Sequence, residues 1–152
     1  MKMLISALTS LSVTLLLSVD INDPIYIDLD DYRWEHRVII LFTDELDDSD
    51  YLELKSQILE RPEEISDRDL KVITISEMGS SLISGELINE KSAEQLRDRL
   101  NSDENPFRVI LIGKDGGVKM DRTEKVSLTE INSIIDRMPM RRQEMRRSSS
   151  QK

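Results

Sequence analysis

Cysteine is absent from this chain of 152 residues. The absence excludes disulfide bonds, thiolate nucleophiles, thiolate metal sites and lipid anchors attached through a cysteine. It does not exclude an oxidising compartment, since exported proteins also fold without disulfides. The chain is long enough for one domain with a substantial hydrophobic core.

Positive charge is scarce and unevenly distributed. The sequence has 21 Lys and Arg against 30 Asp and Glu, a net charge of −9, which argues against a general nucleic-acid binder. After Asp136 the balance reverses, with six Lys or Arg residues and one Glu. An acidic body with a basic end predicts that residues 141–152 form a tail separate from the domain.

Long apolar runs are missing beyond the N-terminus. Lys2 precedes an apolar segment over residues 4–19, the pattern of a signal peptide. The segment is short for a membrane-spanning helix, which needs about 20 apolar residues. Cleavage after Ser18 would place Leu16 at the −3 position, where a small residue is preferred. We therefore expect a periplasmic or secreted protein with a weak cleavage site; an uncleaved membrane anchor and a buried N-terminal segment are the alternatives.

The stretch from Asn105 to Met120 organises the predicted fold. Val109 to Ile112 is an apolar run typical of a buried strand, and Asp115-Gly-Gly supplies residues suited to a tight turn. The pattern predicts an antiparallel hairpin formed by residues 107–113 and 117–121. Pro106 stands at the strand start, where its missing N–H is tolerated, and a cis bond before it is an open alternative.

The remaining segments alternate between strand and helix. Buried strands are predicted at 38–42 and 69–75, a short edge strand at 25–29, and a loop with one short extended piece at 76–91. Capping patterns place helix starts at Asp50, Ser92 and Ser127, and the first and last of these helices end at Pro62 and Pro139. The order strand, helix, strand, helix, hairpin, helix predicts an α/β protein with a mixed sheet, in which the first strands are parallel. We divide the chain into residues 1–19 as signal peptide or anchor, 20–31 as connector, 32–140 as the domain and 141–152 as a partly helical, fraying tail.

Three segments carry a resemblance to a known family: Tyr32–Arg37, Gly113–Lys119 and Ile135–Met145. Together they resemble the bacterial domain-of-unknown-function family 4174, over roughly residues 28–146. The resemblance implies a thioredoxin-like fold, similar to peroxiredoxins, and an exported location. It implies no settled activity; relatives occur in animal sushi-repeat and matrix-associated proteins. In thioredoxin-like proteins a proline, usually cis, precedes the third core strand, and here that position is Pro106.

Thiol redox chemistry is excluded by composition. In thioredoxin-like redox enzymes the nucleophilic cysteine follows the first strand at a helix N-terminus, and here that place holds the acidic loop 44–50. Asp48-Ser-Asp50 begins like a calcium-binding loop, but Leu52 occupies a ligand position and the required glycine is missing. We favour a solvated loop that caps the following helix, and we predict no metal and no cofactor.

Two further candidates lie near the first strand and the hairpin turn. Lys114-Asp-Gly-Gly117 could form an anion-binding nest, although a hairpin turn explains its glycines without a ligand. His36, the only histidine, could act as a general base with Glu35, but neighbours in an extended chain point to opposite faces. We favour a structural role for His36. Trp34, the only tryptophan, is predicted to anchor the core.

The segment Met138–Met145 places two arginines directly after a helix-ending proline. Arg141 and Arg142 could pair with the acidic loop, bind an anionic polymer or dock a partner protein. The leading prediction is a non-catalytic binding module of the cell envelope, with an unknown protein or an anionic polymer as its partner. The candidate binding residues are Arg33, Trp34, Arg37, Lys114, Asp115, Gly116, Gly117, Lys119, Arg141 and Arg142.

Two alternatives stay open at this point. One is a divergent oxidoreductase-like enzyme that uses His36 and Lys114 near Pro106. The other is a purely structural protein whose basic end acts as a packing clasp. No specific nucleic acid is expected as a partner, and contact with a membrane is expected only through an uncleaved N-terminal segment.

Overall fold

The computed structural model describes residues 23–77, 81–100 and 107–150. Within them the chain forms a six-stranded mixed sheet flanked by helices. The strands are β1 (Arg37–Thr43), β2 (Leu70–Ser76), β3 (Leu82–Ile83), β4 (Glu86–Leu87), β5 (Phe107–Ile112) and β6 (Val118–Arg122). The helices are α1 (Ser49–Glu60), α2 (Pro62–Asp67), α3 (Glu90–Leu100), α4 (Leu128–Asp136) and α5 (Pro139–Ser149). The predicted signal segment and Pro106 lie outside the described residues.

The central strand is β1, whose seven residues are all buried. It pairs in parallel with β2 and antiparallel with β5, and β6 extends the sheet from β5, giving the order β4-β3-β2-β1-β5-β6. The continuous apolar run of β1 suits a strand covered on both faces. The predicted α/β class, the parallel first pair and the 107–121 hairpin are confirmed.

Two hydrophobic clusters lie on opposite faces of the sheet, because alternate residues of a strand point to opposite sides. One contains Ile40 of β1 with Leu96 of α3, and also Ile27 and Leu29 from the segment before β1. The other packs Leu41 and its neighbours against α1 and α4. The packed unit therefore includes part of the segment that we predicted to be a connector, residues 20–31.

The helix boundaries around α1 differ from the prediction. Asp48, not Asp50, is the N-cap, and its Oδ1 accepts from the Tyr51 amide at 2.9 Å. Pro62 does not simply end a helix: it occupies the first position of α2, where its missing N–H costs nothing. An acidic run offers several possible caps, and the spacing of carboxylates alone does not choose among them.

Residues 76–91 hold more structure than predicted. Within the part that is described, β3 and β4 form a two-stranded hairpin whose turn places Ser84 and Gly85 at positive φ. Ser92 does not cap α3, which begins at Glu90. The Ser92 hydroxyl is buried and accepts a hydrogen bond from the Ile27 amide at 3.0 Å. At 25–29 the predicted edge strand is reduced to one parallel bridge between Ile25 and Ile88, followed by a 3-10 helix at Leu29–Tyr32.

The C-terminal region packs onto the domain. Ser127 caps α4 as predicted, since its hydroxyl accepts from the Glu130 amide at 3.2 Å. Pro139 separates α4 from α5 and starts the second of these helices. Arg141 is only 6% exposed, so the boundary that we predicted at residue 140 falls inside a packed helix. Among the described residues no helix combines the length and apolar character needed to cross a membrane.

Candidate functional site

The candidate site lies at the end of the sheet where β1 and β2 begin. Arg37 is the first residue of β1, and its amide donates to the Asp69 carbonyl just before β2, at 2.9 Å. Lys114 follows β5 at the same end, because β5 runs antiparallel to β1. The start of α5 completes this end of the sheet.

Glu144 of α5 joins two buried cations. The Arg37 side chain is 1% exposed, and its Nη2 lies 3.1 Å from Glu144 Oε1. Lys114 Nζ lies 2.9 Å from the same carboxylate and 2.7 Å from Asp69 Oδ2. Burial alone would raise the pKa of Glu144, but hydrogen bonds from Lys114 and Arg37 outweigh it and hold that pKa below its ordinary value. Glu144 is therefore an ionised bridge between α5 and the sheet.

Arg141 makes a second ionic attachment one turn earlier in α5. Its guanidinium donates to the Asp67 carbonyl at 2.7 Å, to the Asp67 carboxylate, and to Asp136 Oδ1 at 3.3 Å. Arg68 also binds Asp136, at 2.8 Å. Burial would raise the pKa of Asp136, but the hydrogen bonds and charges of Arg68 and Arg141 lower it. Arg141 therefore meets its carboxylate partners within the chain, while Arg142 next to it is exposed.

A small cleft opens between α5 and the β5–β6 turn. Its volume is about 120 Å³. The wall is cationic on one side and apolar on the other, and it is formed by Arg37, Gly113, Lys114, Asp115, Lys119, Met138, Pro139 and Met140.

The turn that faces this cleft uses its own backbone donors. The Gly113 amide donates to the Gly117 carbonyl, the Gly116 amide to the Gly113 carbonyl, and the Gly117 amide to Asp115 Oδ1, at 2.9, 2.9 and 3.1 Å. The nest interpretation is therefore not supported by this geometry. Lys119 donates to Asp115 at 2.6 Å, which lowers the pKa of Asp115.

Arg33 packs across the turn at the position of Gly116. Gly116 has a φ of +80°, and a Cβ added there would lie 2.6 Å from Arg33 Nε. Arg33 Nη2 donates to the Asp115 carbonyl at 3.2 Å. Glycine is required at this position both by the backbone conformation and by the close approach of Arg33.

Trp34 lies on the surface beside this turn, 65% exposed, so the prediction that it anchors the core is wrong. Its backbone has a φ of +70°, and Arg33 before it has φ −60° and ψ 138°. The Glu35 amide donates back to the Tyr32 carbonyl at 3.3 Å. These are the features of a type II turn, in which the position of Trp34 is normally taken by glycine. The Trp34 amide donates to the Lys114 carbonyl at 2.6 Å, which fixes the turn against the hairpin.

The enzyme alternative needs His36 and Lys114 near Pro106, and among the described residues these two side chains do not meet at the start of β5. Phe107, next to Pro106, begins β5, whereas Lys114 follows the end of that strand, about 20 Å away at the usual rise per residue. His36 does not line the cleft. Its ring contacts Tyr32 edge-on with 6.1 Å between centroids, and its buried Nδ1 has no hydrogen-bond partner within the described structure.

The structure therefore brings together Arg33, Trp34, Arg37, Lys114, Asp115, Gly116, Gly117 and Lys119, with Arg141 packed nearby. Sequence reasoning missed Glu144, Asp69, Asp67 and Asp136, the carboxylates that hold this end of the molecule together. A signal existed for one of them, since Glu144 is the single acid in the basic C-terminal segment. In the acidic loop, Asp48 caps α1. Within the described ranges no group of His, Asp and Glu is arranged to hold a metal ion.

Comparison with solved structures identifies the class of fold. The chain is similar to Plasmodium yoelii Prx1a, in a structure described as an N-terminally modified form that makes an artifactual octamer, with a TM-score of 0.53 and 13% identity over 77% of this chain and 81% of that one. The mitochondrial 2-Cys peroxiredoxin of Plasmodium falciparum also matches, with a TM-score of 0.49 and 13% identity over 72% and 79% of the two chains. The first similarity supports a thioredoxin-like fold and nothing beyond it.

The family follows from the sequence match. Residues 28–144 match the family described as "Domain of unknown function (DUF4174)", and the chain belongs to it. The resemblance inferred from the three segments is thereby confirmed. A search of curated proteins found no match.

Proposed function

We propose that this protein is an exported, non-catalytic binding module of the cell envelope, and that Trp34 is its principal contact residue. The observation that carries the proposal is the placement of a large, exposed aromatic side chain at a turn position suited to glycine. A bulky residue at positive φ is an outlier, and such local strain is characteristic of functional sites. Packing does not account for Trp34, because most of its surface faces solvent.

The surroundings of Trp34 resemble the anatomy of a protein-binding surface. Tryptophan is enriched among the residues that dominate binding energy, and polar residues form the rim around them. Here Arg33 and Glu35, the sequence neighbours of Trp34, are polar and exposed. The hydrogen bond from the Trp34 amide to Lys114 fixes the backbone beneath the ring, which limits the entropy lost on binding.

A pull-down from envelope extract tests this role of Trp34. The bait is the protein purified from its own envelope fraction, compared with Trp34→Gly and with Leu59→Ala, which alters an apolar residue that is 69% exposed on α1. We expect a partner that the unmodified protein and Leu59→Ala both retain and that Trp34→Gly loses. Equal retention by all three, or no partner for any, would contradict the assignment of Trp34.

A second contact surface is favoured by a separate observation on α5. Arg142, Arg146 and Arg147 are exposed, and within the described chain they form no ion pair, whereas Arg141 is buried and paired. Unpaired arginines on an otherwise acidic protein favour an anionic polymer as partner. Ser148, Ser149 and Ser150 are uncharged and donate hydrogen bonds to carbonyls of their own helix.

Binding to inorganic polyphosphate tests the α5 surface. The variant Arg142→Gln/Arg146→Gln is compared with Lys91→Gln/Arg122→Gln, which removes two exposed positive charges elsewhere. We expect the α5 variant to bind more weakly than this control, and the affinity of the unmodified protein to fall as salt increases. Equal weakening by the two variants would indicate a general charge effect and would refute the surface.

Export is the remaining part of the proposal and rests on Lys2 and the apolar segment that follows it. N-terminal sequencing of the protein recovered from the envelope fraction tests it. We expect a mature chain that begins near residue 19. A chain that begins at Met1 and partitions with the membrane would support the uncleaved anchor, and recovery from the cytoplasm would refute export.

A further inference from the structure

One residue that lines the cleft between α5 and the β5–β6 turn carries a buried donor without an acceptor. Arg37 lines the cleft and is 0% exposed as a residue. Its Nη1 donates to the Arg68 carbonyl at 2.8 Å and its Nη2 to Glu144, but its Nε has no hydrogen-bond partner within the described structure. A buried guanidinium N–H without an acceptor is costly, so such a group requires an explanation.

The N-terminus of α5 borders the same cleft. Met138 is the N-cap and provides no side-chain hydrogen bond, and Pro139 occupies the first helical position. The amides of Met140 and Arg141 belong to the first turn of the helix and therefore lack intrahelical acceptors. With the helix dipole, these amides make the start of an 11-residue helix favourable to an anion. The helix start and the Arg37 donor are independent observations on one cleft.

The ionised side chains around the cleft nearly balance. Lys114 faces Asp69 and Glu144, and Lys119 faces Asp115. With Arg37 the cations number three and so do the acids. The unmatched donors are the uncapped helix start and Arg37 Nε, and the unmatched acceptor is the buried Glu144 Oε2, which makes no hydrogen bond within the described structure. One added negative charge is balanced by these donors. A second negative charge would be repelled by the three carboxylates.

We propose that this cleft is a binding site for a single small anionic group, a carboxylate or a phosphate, held by the first-turn amides of α5 and by Arg37 Nε. The volume of about 120 Å³ lies well below the roughly 300 Å³ at which pockets for drug-sized ligands begin. It therefore admits one anionic headgroup, and the remainder of any larger ligand lies outside. The site is separate from the Trp34 and α5 arginine surfaces and does not depend on the proposed function.

The apolar side of the cleft is the part of its wall that can move. Arg37 Nε has almost no accessible surface, so an anion reaches it only after the cleft wall moves. Met138 and Met140 form the wall and are partly exposed. Methionine is unbranched and changes rotamer at low cost, so these side chains can move aside as an oxygen approaches. The same methyl groups favour a ligand whose anionic group is attached to an apolar body.

Nuclear magnetic resonance of the whole purified protein tests the site. Sodium acetate and sodium phosphate are titrated separately against sodium chloride at equal ionic strength. We expect saturable shifts of the Met140 and Arg141 amides and of the Arg37 Nε–H resonance with acetate or phosphate, and none with chloride. The stronger of the two anions identifies the ligand as a carboxylate or a phosphoryl group. Absence of saturable shifts at these three positions would overturn the proposal.

Two variants and a control place the binding in the cleft. Met140→Glu puts a carboxylate at the cleft wall and is expected to abolish the shifts. Lys119→Gln removes a partly exposed charge and is expected to weaken binding about two- to fivefold, as one exposed ion pair is typically worth. Lys91→Gln removes an exposed positive charge from α3, outside the cleft wall, and is expected to leave binding unchanged. An affinity that falls with Lys91→Gln as much as with Lys119→Gln would refute the site.

Discussion

At the level of one residue, Trp34 combines an unfavourable backbone conformation with an exposed side chain. Its φ of +70° suits glycine, while its ring contributes little buried area. A side chain at left-handed φ costs about 1–2 kcal/mol, and glycine avoids this cost but adds chain entropy to the unfolded state. The tryptophan therefore occupies a position that conformational energy alone would give to glycine.

Substitution of Trp34 by glycine and by alanine measures this strain. Both variants lose the ring, but only alanine keeps a Cβ at positive φ. We expect Trp34→Gly to be more stable than Trp34→Ala by about 1 kcal/mol, and close to the unmodified protein. Urea denaturation followed by circular dichroism gives the free energies of unfolding. An alanine variant as stable as the glycine variant would show that the turn carries no strain.

Gly116 provides a second residue-scale prediction. Gly116→Ala combines an unfavourable φ with a clash against Arg33, while Gly85→Ala has a φ of +90° in open space, and Gly117→Ala has neither problem. We expect destabilisation to increase from Gly117→Ala through Gly85→Ala to Gly116→Ala, with about 1 kcal/mol for each of the two effects. Thermal denaturation of the three variants checks the order. Equal effects at Gly85 and Gly116 would mean that Arg33 moves aside freely.

Helix α5 is the element that sequence reasoning described least well. Its basic composition led us to predict a tail separate from the domain. Arg142, Arg146 and Arg147 are exposed, as residues of such a tail would be. Its attachment depends on Arg141 and Glu144, whose partners Asp67 and Lys114 are distant in sequence. A single sequence does not show which members of a charged segment meet buried partners, because that pairing is determined by the packed sheet.

Removal of the Glu144 charge tests this attachment. Glu144→Gln leaves Arg37 and Lys114 without the carboxylate that both contact. We expect a loss of about 1–3 kcal/mol, since each cation is buried and Glu144 is only 25% exposed. Glu94→Gln, on the exposed face of α3, is the matched control and should change stability by less than about 0.5 kcal/mol. Comparable losses in the two variants would show that α5 does not rely on Glu144.

For the whole molecule, β1, β2 and the β5–β6 hairpin were predictable because hydrophobic pattern and turn residues specify them locally. The apolar runs around Ile40 and Ile110 and the Asp115-Gly-Gly turn contain this information. Cap choices, the β3–β4 hairpin and the exposure of Trp34 depend on tertiary contacts that the pattern does not contain. The candidate site was predicted in part: its cations and its turn were identified, but the carboxylates that bind them were not.

Stability of the whole molecule should fall in acid. Hydrogen bonds and charges of neighbouring cations lower the pKa of Glu144 and Asp136 below their ordinary values of 4.5 and 3.8, despite burial. A lowered pKa in the folded state adds stability that is complete above the unfolded value and is lost as pH falls through the folded value. We expect a plateau above about pH 5.5 and a decline below about pH 4. Glu144→Gln should flatten the decline between pH 5 and 3 in urea titrations, and an unchanged slope would contradict this assignment.

The contact between Arg37 and Glu144 spans 107 positions of the chain. Arg37 begins the central strand, so this cation is synthesised well before the carboxylate that pairs with it. A nascent chain that ends before residue 144 would have to bury that guanidinium without its carboxylate, at a cost of several kcal/mol. Folding of this domain is therefore expected to wait until α5 has been synthesised.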